Sequence, residues 1–222
     1  HPKFGAPIAD YPDPIRARVF DETTRSYDFI RTKAELAQYI RLIIKHLKER
    51  GWYDQARFVA DELGDRARFN ACLAFLRSIE PNIRLKLACN APSVMDEFMN
   101  DILDWVPNLN CLTVDSTVTE RLIRQVKERG GRMSWYVCWR PPYPNTLFTS
   151  PSYESRLIGW LTYWFGIDGF LRWAFAAWAP DPLKKPNWKF TPGDLLLVYP
   201  GEDGKPMSSV RWELLKQGIQ EY

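Results

Sequence analysis

A chain of 222 residues, 45% hydrophobic and 26% charged, carries enough apolar material for one large globular core. Thirty basic against 27 acidic residues leave a net charge of only +3, too little to recruit nucleic acid or a membrane surface. No apolar run approaches the roughly 20 residues of a membrane span. Cys72, Cys89, Cys111 and Cys138 include no Cys-x-x-Cys pair, and only two His are present, so no ordinary zinc site is expected. The cysteines read as small buried hydrophobes. Ten Trp, ten Tyr and twelve Phe are an unusual aromatic load, and several fall near predicted strand ends, where sugar sites keep flat apolar faces.

Residues 1–31 read as a lead-in, proline-rich and then extended. Runs 15–20 and 26–30 flank Asp21, Glu22, Thr23 and Thr24 as a hairpin. Thr32 with Glu35 makes a capping-box pattern. Leu36, Tyr39, Ile40, Ile43, Ile44 and Leu47 recur at helical spacing up to Gly51. The next stretch, 56–62, organises the rest. Phe58, Val59 and Ala60 are an apolar run suited to a buried parallel strand, and it ends in Asp61 and Glu62.

After it strands and helices alternate. The pattern predicts a helix over 65–78 and a strand over 83–90 that ends in Asn90. A helix over 93–105 and a strand over 111–115, ending in Asp115, follow. Next come a helix over 117–129 and a strand over 133–139 that contains Tyr136 and Trp139. A loop over 140–150 holds Pro141, Pro142 and Pro144, and a helix runs on to Phe165. The last strand is expected over 169–178, ending in Trp178. Residues 200–204 read as a turn, and a helix runs from Val210 to the end. The chain starts His1-Pro2 without Met or a signal-peptide pattern and stops inside that helix, so it reads as a piece of a longer protein, of unassigned compartment.

Such alternation marks right-handed βαβ units, and the fold class is α/β. About five strands are too few for a closed barrel of eight units and about 250 residues. They fit the C-terminal part of a (β/α)8 TIM-type barrel, residues 1–222 forming one partial domain. An open doubly wound sheet is the alternative. The barrel is preferred because polar and aromatic residues stand at the same end of successive strands: Asp61 and Glu62, Asn90, Asp115, Trp139, Trp178. Barrel sites are built from such strand ends.

Asp61 and Glu62 are the candidates for acid/base chemistry, because adjacent carboxylates cannot both ionise freely. The bland alternative is a solvated strand end that caps the next helix. Asn90 and Asp115 suit sugar hydroxyls or helix caps equally. Trp178, at the strand's exit, is assigned to the site and Trp173 to the core. Arg172 is expected to pair with an acid in or beside the sheet. No phosphate loop, metal cluster, cofactor motif or nucleophile elbow is present.

Trp135-Tyr136-Val137-Cys138, Pro144-Asn145-Thr146, Glu154-Ser155-Arg156, Asp168-Gly169-Phe170-Leu171-Arg172-Trp173, Leu197-Val198-Tyr199-Pro200-Gly201 and Val210-Arg211-Trp212-Glu213 together resemble the catalytic domain of glycoside hydrolase family 123. That is a family of β-N-acetylgalactosaminidases with many bacterial relatives. The resemblance runs from about residue 15 to the end. It implies a (β/α)8 barrel, usually after a β-sandwich domain, so that the sandwich and the first barrel strands would lie outside this chain. It places the family's catalytic Asp-Glu pair on Asp61 and Glu62. It implies retaining, substrate-assisted hydrolysis of a terminal β-linked N-acetylhexosamine, with N-acetylgalactosamine favoured and no cofactor. Asn90, Asp115, Tyr136, Trp139 and Trp178 are the expected substrate contacts, the Tyr136 hydroxyl facing the acetamido carbonyl or else a neighbouring strand. Two positions depart from the family pattern: Leu63 where proline follows the pair, and Ala176 where asparagine is frequent. The implied partners are a glycan and the missing N-terminal part of the same protein. The competing function is a non-catalytic carbohydrate-binding or scaffold domain derived from such a barrel.

Overall fold

The computed structural model describes residues 18–61, 65–186 and 190–222. The chain divides into two units. Described residues 18–58 and 65–84 form the first; 59–61 with 85–222 form the second. The predicted Glu62 and Leu63 lie outside the described residues.

In the first unit, β1 (Arg18–Asp21) and β2 (Ser26–Phe29) form the predicted hairpin, paired antiparallel with Asp21 opposite Ser26. The Asp21 carboxylate closes the turn by accepting the Thr23 N–H at 2.8 Å. Helix α1 (Lys33–Glu49) starts at the predicted capping box: Thr32 Oγ1 accepts the Glu35 N–H at 3.1 Å, and the Glu35 carboxylate accepts the Thr32 N–H at 3.0 Å. Gly51, just past the helix, takes the left-handed φ of +68° that few other residues tolerate. Helix α2 (Arg66–Ile79) is capped by Asp65 on the Arg68 N–H. Leu36, Ile40 and Ile44 recur every four residues and are buried with Ile30 and Phe75, which is the core of this unit. Each such side chain contributes about 1.5–3 kcal/mol on burial.

The second unit carries the sheet. β3 (Phe58–Ala60), whose residues 59 and 60 belong here, lies beside β4 (Leu85–Cys89), and β4 lies beside β5 (Asp104–Pro107). β4 and β5 run parallel, with Cys89 opposite Pro107, and the crossover between them is α3 (Pro92–Phe98). Leu85, Leu87 and Cys89 are buried on one face, and all four residues of β5 are buried. Parallel bridges Trp105–Met133 and Asn108–Tyr136 join β5 to the next strand, β6 (Ser134–Tyr136). β6 in turn pairs in parallel with β7 (Gly169–Leu171). The strands thus stand side by side in chain order, and among the described residues they do not close into a barrel.

Two strand expectations are corrected. Residues 111–113 of the expected strand 111–115 belong instead to a one-turn helix, α4 (Leu109–Thr113), and the strand lies earlier, at 104–107. The Asn108 side chain accepts the Asn110 N–H, and the Thr113 hydroxyl donates back to the Leu109 carbonyl. These local bonds, with Leu109, Cys111 and Leu112 buried, override the β propensity of Thr113 and Val114. The strand expected over 169–178 ends at Leu171. Beyond it the chain departs to pair Ala176 with Leu196, and Leu197 N–H donates to Phe175 O. The other helices, α5 (Ser116–Glu128), α6 (Tyr153–Trp164) and α7 (Val210–Gln220), fall where the periodicity puts them. β8 (Tyr199–Pro200) and β9 (Pro206–Met207) are a small hairpin around the predicted turn.

α6 and α7 approach each other through glycine. A Cβ added at Gly159 would sit 2.0 Å from the Gly218 carbonyl oxygen, and one at Gly218 would sit 2.2 Å from Arg156 O. Both obstacles are backbone, so neither can swing aside. Gly159→Ala is therefore expected to lower stability by about 3 kcal/mol, at the upper end for overpacking and despite alanine's better helix propensity. Thermal unfolding checks it; a Gly159→Ala protein as stable as the parent would contradict the close crossing.

Candidate functional site

The second unit contains a cavity of about 460 Å³ at the C-terminal ends of its strands. Each of β3 to β7, or the residues just beyond it, contributes to its walls. Asp61 follows β3; Ala88 and Asn90 come from the end of β4; Asn108 and Asn110 follow β5. Tyr136, Cys138, Trp139 and Arg140 come from β6 and beyond, and Leu171 and Trp173 from the end of β7. Phe190 and Asp194 complete it.

Of the residues expected from sequence, the fold brings Asp61, Asn90, Tyr136 and Trp139 to this cavity. Glu62 lies outside the described residues. Asp115 is not among the walls: it is the N-cap of α5, and its carboxylate accepts the Thr117 and Val118 N–H groups at 2.8 and 3.2 Å. Of its two sequence readings, the structure displays the helix cap. Trp178 is also absent from the walls, and its indole N–H donates to Val198 O at 2.7 Å. Because β7 stops at Leu171, the alternation that aimed Trp178 at the site does not extend that far. Trp173, assigned to the core, takes a place on the wall and is 44% exposed.

The walls are held by buried polar groups. Arg172 and Asp194 pair at 2.6 Å with side chains only 4% and 1% exposed. The Arg172 guanidinium also donates to Val137 O at 2.7 Å and Asp194 O at 2.8 Å. Burial pushes its pKa down and the Asp194 carboxylate pushes back. Asp194 accepts the Trp173 indole N–H at 3.3 Å, and the Trp173 ring meets Phe190 edge-on at 5.4 Å. Asn145, fully buried, donates to Cys138 O at 2.9 Å and Pro141 O at 2.7 Å, which fixes the segment bearing Trp139 and Arg140. The expected acid partner of Arg172 is therefore Asp194.

Among the described residues two carboxylates line the cavity, and their surroundings differ. Asp194 is neutralised by Arg172. Asp61 is exposed and has no ion pair among the described residues, which leaves it available to a ligand. Among the described residues no three His, Cys, Asp or Glu side chains converge to hold a metal ion. Sequence reading missed Asn108 and Asn110 because it placed the strand before them too late. The Pro107-Asn108 pair, a strand end followed by a cap residue, was the signal that could have found them.

The glycoside hydrolase 123 catalytic-domain model matches residues 4–222. Among solved structures, a family 123 glycoside hydrolase from Clostridium perfringens, studied for glycolipid glycan hydrolysis, superposes with a TM-score of 0.74 at 25% identity. The alignment covers 91% of this chain and 37% of that one, so the present chain spans under half the length of that relative. No curated protein matched the sequence.

Proposed function

We infer the function from one premise: this chain belongs to the glycoside hydrolase 123 family, whose catalytic-domain model matches it from residue 4 to residue 222. We propose that it is the C-terminal part of a (β/α)8 barrel and hydrolyses a terminal β-linked N-acetylhexosamine, N-acetylgalactosamine in preference, with retention. The observation that carries this is Asp61, a carboxylate at a strand end with no ion pair among the described residues. It opens into a cavity with amide, phenol and indole groups from the next strands. Such a donor set with flat apolar faces suits a sugar. The glycolipid glycan chemistry of the Clostridium relative supports a glycan substrate.

In this reading no protein nucleophile is needed. The acetamido oxygen of the sugar attacks the anomeric carbon while the bond to the leaving oxygen breaks, and Glu62 gives that oxygen its proton. Asp61 accepts the acetamido N–H and stabilises the positive oxazolinium-like intermediate. Glu62, now a carboxylate, takes a proton from water as the water oxygen bonds to the anomeric carbon, and the acetamido group is restored. Neighbouring residues suffice because the second carboxylate acts through the substrate, so the usual separation between two carboxyl groups does not apply. Tyr136 and Asn90 orient the sugar and Trp139 supplies an apolar face.

The test compares an aryl β-N-acetylgalactosaminide, the matching glucosaminide and an aryl β-galactoside that lacks the acetamido group. Hydrolysis of the first two with retained configuration, and none of the third, is the expected result. Equal hydrolysis of the galactoside would remove the substrate-assisted mechanism. Tight sugar binding without any hydrolysis would favour the carbohydrate-binding reading.

A further inference from the structure

We propose that Trp139 and Arg140 form a subsite for an oxyanion, a sulfate ester or a sugar carboxylate, carried by the glycan beyond its terminal hexosamine. The inference deepens the glycosidase reading and takes from it only the placement of the terminal sugar at Asp61.

Both residues line the cavity. The Arg140 guanidinium lies 4.7 Å from the centroid of the Trp139 ring. Arg31, Arg121 and Arg156 each meet a carboxylate at 2.8 Å or less, whereas Arg50 lies over the Trp52 ring. Arg140 likewise meets an indole and has no ion pair among the described residues, and unlike Arg50 it lines the cavity. Contact with the ring restrains the head without using its hydrogen-bond donors. The backbone beneath is fixed as well: Arg140 O accepts the Cys138 N–H at 3.3 Å, and buried Asn145 clamps Cys138 and Pro141. The result is a cation on the cavity wall whose planar fork meets no carboxylate among the described residues, a group that binds carboxylate or sulfate through two parallel bonds.

Neither carboxylate described on the cavity wall pairs with Arg140. Asp194 is met by Arg172. Asp61 follows β3 and Arg140 follows β6, three strands along, which is roughly 14 Å at the ordinary strand spacing. The same separation places the anion on a second sugar, not on the hexosamine held at Asp61.

Calorimetric titration tests the subsite without requiring turnover. The ligands are three disaccharides with terminal β-N-acetylgalactosamine: one on a neutral hexose, one on the same hexose bearing a sulfate, and one on a hexuronic acid. The chain is expected to bind at least one acidic disaccharide about tenfold more tightly than the neutral one, the scale of a charge-assisted hydrogen-bond pair. The sulfated and uronate arms identify which oxyanion is read. In Arg140→Met the ratio of acidic to neutral affinity should fall to near one, and in Arg140→Lys to an intermediate value, with unchanged thermal unfolding certifying the fold of both. Added salt should lower the ratio in the parent and in Arg140→Lys but leave it unchanged in Arg140→Met. Neutral and acidic ligands binding equally to the parent, or an Arg140→Met protein that keeps the preference, would overturn the proposal. Acid-selective binding without hydrolysis would instead leave the subsite standing and condemn only the glycosidase reading.

Discussion

Replacing Glu62 by glutamine is expected to slow hydrolysis of a natural β-N-acetylgalactosaminide by about 10³-fold, within the range that one general acid/base contributes. Glutamine keeps the shape and the hydrogen-bonding reach of glutamate, so sugar binding should persist. What it loses is the proton for the leaving oxygen and the base for the incoming water. The two losses separate by leaving group. An aryl group that leaves as a stable phenolate needs little protonation, so its cleavage should fall at least about tenfold less than that of the natural glycoside. Asp61→Asn should show no such dependence, because Asp61 acts on the acetamido group in both cases. It should also still bind the galactoside lacking that group as the parent does. Equal losses for both leaving groups in Glu62→Gln would take the acid role from this residue, and full turnover in that variant would sink the assignment.

Much of this site was legible in the sequence because its signals are local. The Phe58-Val59-Ala60 run before Asp61 marks a strand and its exit, although Val59 is 69% exposed where a buried strand was expected, and Asn90 follows a strand expected over 83–90 and found at 85–89. The capping box at Thr32 and Glu35 needs only four residues and was readable outright. What escaped depends on contacts distant in sequence. Nothing near residue 104 announces that Asp104 accepts the Arg132 N–H and that Trp105 N–H donates to Arg132 O, yet these bonds fix where β5 lies. Cys111, Leu112 and Val114 had the stronger local β signal and lost to a helical turn held by Asn108. Trp173 stands on the cavity wall and Trp178 does not for a similar reason: where β7 stops is set by the pairing of residues 175–177 with 195–197, some twenty residues on. Arg172 could be assigned an acid partner by chemistry alone, but only the fold identifies Asp194.

That pair carries the second large effect. Arg172→Met should lower the stability of the second unit by about 3–5 kcal/mol, the usual consequence of stranding one partner of a buried ion pair. The methionine fills much of the space, so the loss comes from charge and hydrogen bonding. Asp194, 1% exposed, would lose its cation, and the carbonyls of Val137 and Asp194 would lose a donor. For a chain of this size the unfolding midpoint should fall on the order of 10 °C. The double variant Arg172→Met, Asp194→Leu separates stability from function. With both charges gone no ion is stranded, and most of the lost stability should return. Sugar affinity should not return with it. Trp173 would still lack the acceptor for its indole N–H, and the Val137–Cys138 backbone that leads into Trp139 would still lack its clamp. The expected signature is a KM raised several-fold in a protein of near-normal stability, with kcat changed less. A double variant that regains both stability and KM would show that the pair supports the fold alone; one that stays unstable would show that the bonds to Val137 and Asp194 carbonyls outweigh the charge pairing.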